Sequence, residues 1–317
     1  MQTLKIELLG PLQISCGGRP LPKFPTHKAQ AIFSFLILNR ARFCARNVLA
    51  GTFWEERSEE SARKCLRTEL WRIRSTLKPE PEMRTISLEM HNDGVRVRLP
   101  EDAWLDVAEF ESRLTSLETR SGSEMTATEA RLLNEAVDLY RGDFFEGNYD
   151  EWCLRPRERL RQLFLLALER LMEYHQARGE WTRALTYGQQ LLQQDPLLEH
   201  VHRNVMRCYR AMGNRAMALR QFETIAEQLK AELDIEPMAE TEMLHEEIKS
   251  HPRLTPENLP GRHLATAEGQ QLGSEEILDY LNVVHNCLQE LLQPLRQVIE
   301  ASERALAARG HSSGDHK

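Results

Sequence analysis

The chain has 317 residues, with 41 Lys and Arg, 48 Asp and Glu and a formal net charge of −7. That length sets two or three domains with ample core. No stretch approaches the roughly 18 apolar residues of a membrane span, and the opening MQTLKIELLG runs straight into strand pattern where a secretory leader would be apolar.

The first recognisable segment, LKIELLGPLQIS (Leu4–Ser15), reads as two short strands turning at Gly10-Pro11, because β-prone residues flank a breaker pair. Thr26 then caps a helix in THKAQAIFSFLILNR, whose apolar centre runs from Ala31 to Leu38. A further helix follows over roughly Arg46 to Trp54. Ser58 is the N-cap of the most informative run, SEESARKCLRTELWRIRSTL. In it Ala62, Leu66, Leu70, Ile73 and Leu77 recur at steps of three and four and form one apolar stripe. At about 100° per residue, Lys64, Arg67, Thr68, Trp71, Arg72 and Ser75 turn away from that stripe, and Arg63 and Arg74 lie nearer its edge. ISLEM and VRVRL then alternate around His91-Asn92-Asp93-Gly94. That is a hairpin signal, since Asp-Gly supplies the positive φ that tight turns require.

Strands, three helices and a hairpin are the order of a winged helix-turn-helix with an N-terminal sheet. Such a module lays its last helix in the major groove of double-stranded DNA and reaches phosphates with its wing. Taken alone, the Ser58–Leu77 helix reads first as an ordinary surface helix; its neighbours change that. The expected base-reading face is Lys64, Arg67, Thr68, Trp71 and Arg72. The expected phosphate contacts are Arg63, Arg74, Arg96 and Arg98, with Thr26 and Lys28 at the start of the first helix. Charge agrees with this reading. Residues 1–100 hold 17 Lys and Arg against 10 Asp and Glu, and the remaining 217 residues hold 24 against 38. A basic head on an acidic body favours phosphate binding through the head.

Catalytic chemistry has no signature here. There is no GxxxxGK[ST], no GxGxxG after a strand and no HExxH, so no cofactor or metal site is expected. Cys16, Cys44, Cys65, Cys153, Cys208 and Cys287 lack CxxC or Cys/His spacing; they read as buried or idle thiols in a reducing cytoplasm.

Beyond Trp104 helical periodicity takes over. Tyr174, Gly179 and Ala184 recur as Cys208, Gly213 and Ala218, each at an offset of 34 residues. This is the tetratricopeptide period, in which Gly permits the tight turn between helices and Ala their close packing. Flanking helices over Asp106–Arg120, Thr128–Arg141 and Met238–Lys249 are expected to cap the repeats. Between them GDFFEGNYDEW (Gly142–Trp152) is an aromatic loop that either plugs the helical groove or contacts a partner. Residues 250–274 are rich in Pro and Gly and read as a linker. Ile277, Leu281, Val284, Leu288, Leu291, Leu295 and Val298 then repeat at alternating steps of four and three. This heptad seam, interrupted by Pro294, either pairs with a second chain or folds back as a cap.

The expected fold is therefore mainly α with a small β component. A winged helix-turn-helix spans 1–100, an all-α tetratricopeptide-like domain spans 104–249, and an amphipathic helix or kinked helix pair spans 275–309. In this order the chain resembles the bacterial regulators typified by the streptomycete antibiotic regulatory proteins, which join an OmpR-like winged helix to a bacterial transcriptional activator domain. The resemblance is carried by LLGPLQIS, THKAQAIFSFLILNR, SARKCLRTELWRIRSTL, DVAEFE, LYRGDFFEG and DEWCLRPRERLRQLFLLALERL. It implies a sequence-specific activator that binds repeated promoter sites and contacts RNA polymerase. It also places Arg72 and Arg74 on the family's paired recognition arginines, with Trp71 where a small polar residue is usual. The alternatives are a protein–protein adaptor and a regulator that senses a small molecule in its helical groove.

Overall fold

The computed structural model describes residues 3–77, 86–91, 94–115 and 121–250. The heptad residues Ile277, Leu281, Val284, Leu288, Leu291, Leu295 and Val298 lie outside the described residues, as does Cys287.

Strands β1 (Leu4–Glu7) and β2 (Gln13–Cys16) form the expected antiparallel pair, with Ile6 opposite Ile14. Alternation along β1 buries Leu4 and Ile6. Two strands of two residues each escape such a pattern: β3 (Arg19–Pro20), beside β2, and a strand at Trp104–Leu105 that pairs parallel with β1. Between these strands lie the helices. Helix α1 (His27–Leu38) starts where Thr26 accepts a hydrogen bond from Ala29 N–H, as its capping residue should. A short strand, β4 (Cys44–Ala45), leads into α2 (Arg46–Phe53), and α3 (Glu59–Thr76) follows. Ser58 occupies the N-cap position of α3, but its hydroxyl makes no capping bond; Glu59 and Glu60 in the first turn favour the helix end instead. The hairpin of β5 (Ser87–Met90) and β6 (Gly94–Arg98) is closed by His91 N–H on the Gly94 carbonyl, and β4 extends it to three strands in the order β4-β6-β5. The strand at Trp104–Leu105 is β7, which gives the first sheet the order β3-β2-β1-β7.

Among the described residues all later elements are helical. Helices α4 (Asp106–Thr115) and α5 (Ala127–Leu139) pack on each other, and α5 packs on α6 (Glu151–Ala177). Helices α6 and α7 (Trp181–Gln194) make one antiparallel pair, and α8 (Glu199–Ala211) and α9 (Arg215–Leu233) make the next. The 34-residue period is thus a structural one. Gly179 and Gly213 occupy the two inter-helix turns at φ 72° and 78°, a region costly for a residue with a Cβ. Ala184 and Ala218 are fully buried where the helices cross. Helix α10 (Ala239–Ser250) closes the array by placing Leu244 and Ile248 against Met206 and Ala218.

The main hydrophobic core runs without a break from Leu4 to Cys208. The winged helix and the first helices of the array therefore bury their apolar faces together.

Candidate nucleic-acid interface

Helix α3 is held by its apolar stripe: Ala62, Leu66, Leu70, Ile73 and Leu77 are all buried, and α1 and α2 pack against the helix. Its other side faces out. Arg63, Lys64, Arg67, Thr68, Trp71 and Arg74 are exposed, and Arg72 and Ser75 are half-buried. Thr68 donates its hydroxyl to the Lys64 carbonyl at 3.2 Å, and Arg63 pairs with Glu59 at 2.6 Å. The structure thus brings four of the five expected base-reading residues, Lys64, Arg67, Thr68 and Trp71, onto one solvent-facing surface, and leaves Arg72 half-buried at its edge.

Two acidic residues that sequence reasoning passed over organise the cations. Glu69 lies at the buried flank of α3. One of its carboxylate oxygens accepts from Arg72 Nη1 at 2.5 Å and the other from the Thr26 hydroxyl at 2.6 Å. Thr26 therefore caps α1 and tethers it to α3, and Arg72 is drawn toward the helix flank. On the wing, Glu89 accepts from Arg96 Nε at 3.1 Å and from Arg98 Nη1 at 3.0 Å. These hydrogen bonds hold the Glu89 carboxyl below its ordinary range. Arg96 also lies over the Phe43 ring at 4.3 Å, a cation–π contact that fixes its stem. Both acids follow simple rules: Glu69 is three residues before Arg72 on a helix, and Glu89 is directly opposite Arg96 in the hairpin register.

Lys28 stands apart from this group. Its ammonium lies 3.5 Å from Asp150, at the start of α6, and over the Phe53 ring. It faces the aromatic loop, whose place differs from the expected helical groove. Phe144 and Phe145 are buried, beside the segment that follows β1: Phe145 N–H donates to the Leu8 carbonyl and Gly10 N–H to the Asp143 carbonyl. Trp152 meets Phe35 edge-on at 5.4 Å and Phe53 at a tilt at 5.8 Å. Arg157 of α6 ties the loop down through the carbonyls of Phe144, Phe145 and Asn148. The loop is the mortar between head and helical array. A second joint is Asp106, which is buried and accepts from the N–H groups of Leu8, Leu9 and Val107 at 2.7, 2.8 and 2.7 Å. Burial nevertheless pushes its carboxyl up.

Among the described residues no group of three or more His, Cys, Asp and Glu is placed to hold a metal ion. No described helix is long and apolar enough to cross a membrane. The described cysteines are free thiols, buried except for Cys65.

Fold and interface together define the class: a winged helix-turn-helix fused to a tetratricopeptide-like helical array, presenting a cationic helix face. Residues 105–249 match the model of the bacterial transcriptional activator domain. EmbR of Mycobacterium tuberculosis, a transcriptional regulatory protein, is 24% identical over 246 residues, which are 77% of this chain and 63% of EmbR. The regulatory protein AfsR of Streptomyces coelicolor is 24% identical over 245 residues, 77% of this chain and 24% of AfsR. The structure of EmbR solved with a low-affinity phosphopeptide shares the fold, with a TM-score of 0.62 and 24% identity over 80% of this chain and 67% of that one. Residues 105–249 thus match a bacterial transcriptional activator domain, and the chain is similar to antibiotic-regulatory-protein-type regulators, spanning under two thirds of the length of EmbR.

Proposed function

We propose that this protein is a cytoplasmic, sequence-specific DNA-binding activator of transcription, which binds repeated promoter sites and contacts RNA polymerase. The observation that carries this reading is α3 itself. The helix is anchored by a fully apolar stripe and presents cations, a hydroxyl and one aromatic ring on the opposite face, which suits the major groove. Lys64, Arg67, Thr68 and Trp71 read bases, and Arg63, Arg74, Arg96 and Arg98 reach phosphates. Arg72, Thr26 and Lys28 join them by exchanging Glu69 or Asp150 for DNA. The heptad residues 277–298 hold two copies together on repeated sites.

The test is selection of bound duplexes from a random pool by the full-length protein, followed by affinity against salt. Enrichment of a repeated motif, with binding that weakens steeply as salt rises, is the expected result. Absence of any motif, with salt-independent binding to other proteins, would move the adaptor reading ahead. Within the selected site, Arg67→Ala should cost about 1–3 kcal/mol and relax preference at one position. An equal loss on every sequence would make Arg67 a phosphate contact.

A further inference from the structure

The outward ridge of α3 carries one residue that phosphate attraction does not require. Trp71 is 67% exposed, whereas Trp54, Trp104, Trp152 and Trp181 are all half-buried. Among the described residues its ring has no aromatic or cationic partner. At about 100° per residue, Lys64, Thr68, Trp71 and Ser75 fall on one line opposite the buried stripe, so the indole stands at the crest of the helix. Exposed Arg67, one turn before it, and exposed Arg74, nearly one turn after, flank it with positive charge. An isolated indole between two arginines, on a helix docked from behind, fits a polyanion that offers an apolar spot at the same depth.

We infer that Trp71 is a specificity-determining residue that reads thymine, packing its indole against the C5-methyl group in the major groove. The inference rests on the DNA-binding reading above. Of the groups the major groove displays, the thymine methyl is the apolar one; the others are hydrogen-bond donors and acceptors. An indole face laid over a cytosine amino group or the guanine acceptors would strip water from them and give no bond in return. Over a thymine methyl it buries apolar surface on both partners. Arg67 and Arg74 set the depth of the helix, and Trp71 converts that depth into a preference for T over C at one step of the site.

The experiment uses the full-length protein and the duplex it selects, with each thymine replaced in turn by deoxyuridine, which removes the methyl and nothing else. At one or two positions the unmodified protein should lose about fourfold in affinity, the worth of one buried methyl group. Trp71→Ala should bind thymine and uracil duplexes equally there, and Trp71→Phe should keep the preference. Each comparison lies within one protein, so a change in stability does not affect it. Indifference of the unmodified protein to uracil at every position overturns the inference, as does a Trp71→Ala protein that pays the same uracil penalty; in both cases the DNA-binding reading survives. An unmodified protein that enriches no DNA at all overturns both.

Discussion

Glu89 shows how a single residue sets the strength of the wing. Its carboxylate accepts from both Arg96 and Arg98, so on the proposed DNA-binding reading these arginines would meet a phosphate with a negative charge beside them. The pair order is legible in the sequence once the hairpin register is drawn, because Glu89 and Arg96 are directly opposite. Alternation alone points to the arginines and overlooks the acid. Replacing Glu89 with Gln leaves the hairpin intact and frees two cations. The expected outcome is tighter DNA binding in a gel-shift titration, with the slope of log affinity against log salt steeper by about 1. A weaker complex would mean that Glu89 serves to aim the arginines. Glu69 was equally hard to foresee: it lies next to the apolar stripe, where a carboxylate is tolerated only because Thr26 and Arg72 both donate to it.

At the scale of elements, legibility follows length. Helices α1 and α3, the wing hairpin and the repeat helices are long or periodic enough for sequence pattern to fix them within a few residues. Strands β3, β4 and β7 have two residues each and exist only because a neighbouring strand offers its edge, which no local pattern records. The α8–α9 pair also carries a device invisible to periodicity. His202 is buried, donates from Nε2 to the Pro196 carbonyl at 2.9 Å, and accepts on Nδ1 from the Gln221 amide at 2.7 Å. Burial lowers its pKa below 6.5, against the opposing effects of those bonds and of Glu199. A lowered imidazole value in the fold means that the unfolded chain takes up the proton first, so His202 supports stability above pH 6.5 and that support is lost as pH falls below it. Thermal unfolding between pH 8 and 5 should show a drop in midpoint that His202→Gln reduces. A drop of the same size in the variant would assign it to other groups.

At the scale of the molecule, the boundary suggested by composition, near residue 100, is crossed by structure at every level. Strand β7 completes the N-terminal sheet, Asp106 satisfies the Leu8 and Leu9 N–H groups, and Trp152 covers Phe35 and Phe53. The aromatic loop could be located from sequence but not its neighbour, since aromatic rings carry no address. A fragment of residues 1–100 would expose Leu8, Leu9 and Phe53, which are 0%, 1% and 4% accessible in the intact chain. In circular dichroism it should melt over a broad range and bind apolar dyes, while the full-length protein melts sharply. A fragment as cooperative as the parent would show that the seam adds little to the head.

Under the proposed function, the same seam has a consequence on a promoter. A head locked to its array by a shared strand and a shared core cannot swivel, so the rotational setting of α3 in the groove dictates the compass direction in which the array points. Inserting about five base pairs between the protein's site and the polymerase site, half a helical turn, should turn the array to the far side of the duplex and silence transcription, and a full turn of about ten should restore it. Output in a reporter series would then rise and fall with the pitch of DNA, whereas a swivelling head would give a smooth decline.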